Sequence, residues 1–376
     1  MALKLISEHY LDSPLPRGRR LAFCLSEGAL LSLLSLFCFL IAGYCDSLIP
    51  FYKSHSSAAS SYRNEMVSLI VASGAGESDG AGGLLSYENR ASQYLKNAAY
   101  SSLKANGEEK ASSFVYDDCL VLNEENDLPY RYYVVFKPSN LASYSAKEHF
   151  GINEYWDNFA EAKGYFDGSS SHPFLSLDAS FALHEYFINE SYAKGKEIAA
   201  KLKESYIKLC KSVVNDFKET YSPYLQTYSF YETERDAIYA YKAIESLLCH
   251  LLSCLVYFFV FPFILKERST IGRRVLKAYL IHRNGSYFAW FERLARALLL
   301  FLETLIIPSC IPLLFYGSGA AELFVASLFG PFSLLFFSFF SLALLIFSYT
   351  GCFYLKGKAS WSEAIFKGRS VDGREE

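Results

Sequence analysis

Four stretches of this chain are each long and apolar enough to cross a bilayer: residues 21–45, 247–265, 297–316 and 323–355. A membrane-crossing helix needs about 20 consecutive, mostly apolar residues, because the hydrocarbon holds no water to satisfy an irregular backbone. The fourth stretch is too long for one plain span, and Gly330-Pro331 breaks it into a short lead-in and a full crossing. Hydrophobic residues at 52% with charged residues at only 20% fit the same class. The expectation is an all-α membrane protein built on a bundle of about four transmembrane helices.

The first stretch is longer than the apolar core of a cleaved signal. Tyr44 also stands where a lipoprotein-type site would place a small residue before the cysteine, so 21–45 is read as a retained span. Orientation follows from lysine and arginine, which favour the cytoplasmic side. Lys4, Arg17, Arg19 and Arg20 precede the first span. Eight basic residues lie in 266–296, between the second span (243–265) and the third (297–316). Five more follow the fourth, in 356–376, and none falls in the short link 317–322. Both termini (1–20 and 356–376) are therefore expected inside, at the cell membrane.

That threading places residues 46–242 outside. They carry 19 of the 36 basic and 27 of the 39 acidic residues, a net charge of −8 that leaves +5 on the remainder. A basic inner face suits anionic headgroups, and an acidic outer part excludes nucleic acid as a partner. Most of the nine cysteines lie in or beside the spans, where a thiol is a small hydrophobe. Cys119 and Cys210 are the two well inside the outer part, where the compartment permits a disulfide. No CxxC pair is present, which argues against a zinc site, and no cofactor is implied.

The outer part reads as mainly helical. "SSYRNEMVSLIVA" suggests a short helix, "SGAGESDGAGG" a loop, and the run to about Ala105 a second helix. Two β-rich runs, 114–122 and 130–137, predict a small hairpin across "NEENDLP". Helical spacing returns at 147–163, and from 179 it continues to Pro223. A last helical run from about 233 flows into the second span as a stalk.

Several charges sit in the wrong solvent. Glu27 lies seven residues after Arg20, nearly two turns and about 10 Å further along a helix, so both share one face of the first span. Arg296 and Glu303 repeat the arrangement on the third span. Glu245 and His250 enter from the outer end of the second. Intramembrane carboxylates face partners or a cavity, so each is either half of an ion pair that fixes the bundle or a proton or cation site.

The connection "STIGRRVLKAYLIHRNG" (269–285) resembles the signature loop of the RDD family of small multi-pass membrane proteins, of the form TPGKRLLGLRVVD-x-G. Thr270, Gly272, Arg274 and Gly285 fall in register beside Arg273, and Ile271 replaces the usual Pro. Arg296 stands where that family has its second arginine. Arg20 and Glu27 match its opening Arg and first Asp. "SWSEAIFKGRSV" is similar to its closing HDxxAGTxVV, with Glu363 at the Asp and Gly368 at the Gly. The likeness covers roughly 15–45 and 245–371, with 46–242 as a large insertion between the first two spans.

The resemblance implies a transport-associated protein, with cation/proton exchange or help to a transport system as the activity. Glu27 and Glu303 would be the ion sites, with Arg20 and Arg296 tuning them. Four spans make a small pathway, so homo-oligomerisation is expected on that reading. The competing expectation is an adaptor or anchor that presents 46–242 to a protein or other envelope partner. The chain has no Walker loop and no HExxH, so it is not expected to be an enzyme and no catalytic residue or metal ligand is assigned.

Overall fold

Apolar residues recur at three- and four-residue spacing through most of the chain, and among the described residues helices dominate. The computed structural model describes residues 17–108, 115–141, 150–167, 174–264, 270–271, 278–282, 288–304, 306–317, 343, 350 and 368–372. Two compact units divide the chain. One joins Met1–Ser57 to Thr233–Glu376, and the other is Ala58–Glu232.

In the first unit, α1 (Arg17–Cys45) and α2 (Pro50–Ala72, shared with the second unit) flank a single 3-10 turn, Asp46–Leu48. Helix α8, likewise shared with the second unit, begins at Ser222 and runs unbroken to Leu255, then through a π-turn to Val260. Pro223 lies in its first turn, where the missing N–H takes no bond from the helix. Helices α9 (Trp290–Thr304) and α10 (Ile306–Tyr316) follow. Helix α1 packs on α10, and α9 packs on the π-turn of α8. Two apolar clusters hold these helices together, one around Phe39, Ala243, Cys249 and Leu313, the other around Leu31, Cys254, Tyr257, Phe258, Ala297 and Leu300. Strand β3 (Ala278–His282) pairs antiparallel with β4 (Gly368–Asp372), setting Leu280 opposite Ser370.

Two helices among the described residues are long and apolar enough to cross a membrane, over Leu25–Leu48 and Ser222–Val260. These correspond to two of the four expected spans. The third is helical from Trp290, earlier than the 297 expected, through α9 and α10, on either side of residue 305, which lies outside the described residues. The fourth, 323–355, lies outside the described residues apart from 343 and 350.

The second unit is built from α3 (Tyr87–Ala105), a helical segment α4 (128–140), α5 (Phe150–Asn158), α6 (Leu177–Ile188) and α7 (Ala193–Thr220). Ser86 caps α3 and Ser176 caps α6, each accepting a bond from the backbone N–H three residues on. Helices α3, α6 and α7 pack on one another around a core rich in tyrosine. The Tyr94 and Tyr206 rings stack with centroids 3.9 Å apart, and Tyr155 and Phe159 close over them. The start of α7 approaches α6 so closely that a Cβ at Gly195 would lie 2.0 Å from the Ala182 carbonyl oxygen.

The expected hairpin at 114–122 and 130–137 does not form. Residues 130–137 are helical, with a π-turn over Tyr132–Phe136. Tyr132 and Tyr133 are both buried, whereas a hairpin strand with one face in water would turn one of two neighbours outward. Within 115–122 the backbone is served by α3 instead of by a strand. Ser101 Oγ accepts from Leu122 N at 2.6 Å, and Asn97 Oδ1 accepts from Leu120 N at 3.2 Å. The unit's small antiparallel ladder is elsewhere, β1 (Phe166–Asp167) with β2 (Phe174–Leu175). Cys119 and Cys210 are free thiols.

Lys137 lies deep in this unit. Lys137 Nζ reaches Glu154 Oε1 at 2.7 Å and Asp216 Oδ2 at 2.9 Å, and stands 5.3 Å from the Tyr133 ring centre. Tyr132 donates its hydroxyl to Asp216 at 2.6 Å.

Candidate functional site

The polar residues of the first unit are turned inward. Along α8, Lys242, Glu245, Ser246, Cys249, His250 and Ser253 recur at helical spacing, and all are buried. On the same helix Ile244, Leu248 and Leu252 are more than half exposed. Helix α1 repeats the inversion: Glu27, Leu31 and Ser35 are buried, while Leu33, Phe37 and Leu40 are open. A water-soluble helix distributes these residue types the other way round.

Glu27 is buried on α1 and accepts a hydrogen bond from the Thr270 hydroxyl. The first acid of the family-like pattern is thus bonded by the threonine that opens the family-like loop, 243 residues away in sequence. Arg296, buried on α9, holds its guanidinium 5.7 Å from the Phe258 ring centre. His250 is fully buried, with its Nε2 3.3 Å from Thr304 Oγ1 and its ring 5.2 Å from that of Phe301. Gly368 opens β4 opposite His282, which joins the closing motif to the strand of the loop. Arg20 and Glu303 fall on α1 and α9, and their side chains lie outside the described set. Gly272, Arg273, Arg274, Gly285 and Glu363 lie outside the described residues.

A second group of charges converges where α1 ends. Lys242 Nζ donates to Asp46 Oδ2 and to Glu245 Oε2, the latter at 2.6 Å. Four aromatic rings surround the ammonium, with centres 5.0 Å (Phe39), 5.3 Å (Tyr52), 5.4 Å (Tyr316) and 5.8 Å (Tyr241) away. Tyr241 donates its hydroxyl to Asp46 Oδ1 at 3.2 Å. One turn further along α8, Ser246 Oγ bonds the Ser309 carbonyl at 2.6 Å. Sequence reasoning singled out Glu245 but neither Lys242 nor Asp46. The i, i+3 spacing of Lys242 and Glu245 at the edge of an apolar run was the available signal; Asp46 lies 196 residues from Lys242 and carried none.

Chemically, the first unit offers carboxylates, an ammonium, an imidazole and hydroxyls inside an apolar exterior. Such groups can hold and pass protons or bind a small cation. The chain matches no protein-family model, no curated protein and no solved structure.

Proposed function

We propose that this chain is a multi-pass integral membrane protein of RDD type, associated with cation/proton exchange. One observation carries the reading: α1 and α8 face their surroundings with leucine, isoleucine and phenylalanine and keep Glu27, Lys242, Glu245 and His250 inside. Lipid rewards the first arrangement, and the second places ionisable groups where a pathway would need them. The bond from Thr270 to Glu27 and the pairing of β3 with β4 tie together the three segments that carry the family likeness. The arginine-rich segment 266–296 would lie at the cytoplasmic headgroups, with both termini on that side.

The second reading, an adaptor that presents 46–242 to an envelope partner, is favoured by a different observation. Residues Ala58–Glu232 form a unit with a core of its own. The readings separate in vesicles holding the purified full-length protein. On the transport reading, an imposed sodium or potassium gradient drives proton flux, and Glu27→Gln abolishes it while the protein still inserts and folds. Correctly inserted, folded protein with no flux under any cation gradient leaves the adaptor.

A further inference from the structure

We propose that Glu245 is a proton-binding site, carrying its proton on Oε1 while Asp46 and Lys242 remain an ion pair. The proposal rests on the membrane reading above, which removes bulk water from the surroundings of α8. Asp46, Lys242 and Glu245 are each more than nine-tenths buried. With both acids ionised the group carries one surplus negative charge, and two carboxylates that share one cation do not both ionise readily in a dry site.

The hydrogen bonds decide which acid is neutral. Asp46 has a donor on each oxygen, Tyr241 on Oδ1 and Lys242 on Oδ2. Glu245 has Lys242 on Oε2, and among the described residues Oε1 is buried with no partner. A bare carboxylate oxygen in such a place is costly, whereas a protonated one is a neutral hydroxyl. The ionisable groups gathered around the triad are Tyr241 and Cys249 of α8, Tyr52 of α2 and Tyr316 of α10. Among the described residues none of them supplies a second positive charge, so Lys242 is matched by one carboxylate and the other takes a proton. Ser246 follows Glu245 directly, and Cys249 and His250 lie within about a turn and a half of it along α8, all of them buried.

Infrared spectroscopy of the purified full-length protein at neutral pH tests this, because exposed carboxyls are then ionised and silent in the carboxylic-acid region. Wild-type protein should show a protonated-carboxyl band that disappears as the pH is raised. Glu245→Gln should fold and lose that band; Glu27→Gln should keep it. Absence of the band in folded wild-type protein, or its survival in Glu245→Gln, overturns the proposal. So does failure of Glu245→Gln to fold, since the neutral isostere imitates the protonated acid. A band without vesicle flux keeps the proton site and removes the transport reading; flux without the band does the reverse.

Discussion

Lys137 keeps a positive charge with its side chain almost wholly out of water, and the groups around it show what that requires. Glu154 and Asp216 neutralise it at 2.7 and 2.9 Å, and Tyr132 occupies the Asp216 oxygen that the lysine uses. Removing one partner of a buried pair costs about 3–5 kcal/mol, mostly because the survivor is left uncompensated. Both carboxylates here keep about a quarter of their surface (23% and 24%), so water partly rescues them and the lower end of that range applies. Lys137→Met should therefore lower the unfolding free energy by ~3 kcal/mol, read from denaturant titration of the purified protein. Lys201, paired with Glu197 on the open face of α7, serves as the control. Lys201→Met should leave the denaturation midpoint where it is, because an exposed pair is screened and costs side-chain freedom to hold. Equal shifts for the two would mean that Lys137 holds nothing together. Little at this scale was legible in the sequence. A lysine inside "YRYYVVFK" carries no sign that its ammonium meets residues 17 and 79 positions away.

Elements were more legible than their partners. Helices α3, α6 and α7 follow the three- and four-residue spacing of their apolar residues, since that period needs no knowledge of the rest of the chain. The hairpin failed because "YRYYVVFK" has the composition of a strand while Pro129, the buried Tyr132–Tyr133 pair and the hydroxyl and amide of α3 all favour something else. Two predictions belong here. Alanine favours a helix over glycine by about 1 kcal/mol, yet Gly195→Ala should destabilise the protein. The new methyl group would meet the Ala182 carbonyl, and overpacking of this kind costs ~1–3 kcal/mol. A raised melting temperature in Gly195→Ala would show that α6 and α7 are free to separate. The second prediction concerns alkali. Burial pushes the Cys210 thiol up from 9.0 to about 11 and holds the Tyr94, Tyr155 and Tyr206 phenols well above their ordinary 10.0. These groups stay protonated in the fold and ionise when it opens, so the unfolded chain binds fewer protons as pH rises. Stability should be unaffected below pH 9.0 and fall progressively above it, most steeply once 10.0 is passed. Tyrosinate absorbance from the core should appear together with loss of helical circular dichroism; tyrosinate rising while the helix signal holds would contradict it.

At the scale of the whole molecule, charge is segregated along the chain before any folding occurs. Residues 46–242 carry −8 and the remainder +5, and the basic residues outside the insertion flank the apolar stretches. That segregation was readable because it depends only on order along the chain. The inward turn of Asp46, Lys242 and Glu245 was not, because it depends on α1 and α8 lying side by side. Lysine and arginine resist translocation when they lie within about 15–20 residues of a span, which sets threading more firmly than net charge does. Residues 266–296 hold eight such cations between two apolar stretches, and the link 317–322 holds none. Ser78 lies exposed in the turn-rich segment after α2, far in sequence from any apolar stretch, and Asn284 lies within the basic segment. In a chain whose native cysteines have been replaced, Ser78→Cys should react with a membrane-impermeant maleimide on intact cells. Asn284→Cys should react only after the membrane is permeabilised. Reaction at Asn284→Cys in intact cells, with Ser78→Cys protected, would invert the threading. Glu245 and Asp46 would then sit toward the cytoplasm and Glu27 toward the exterior, and any proton path between them would run with its ends exchanged.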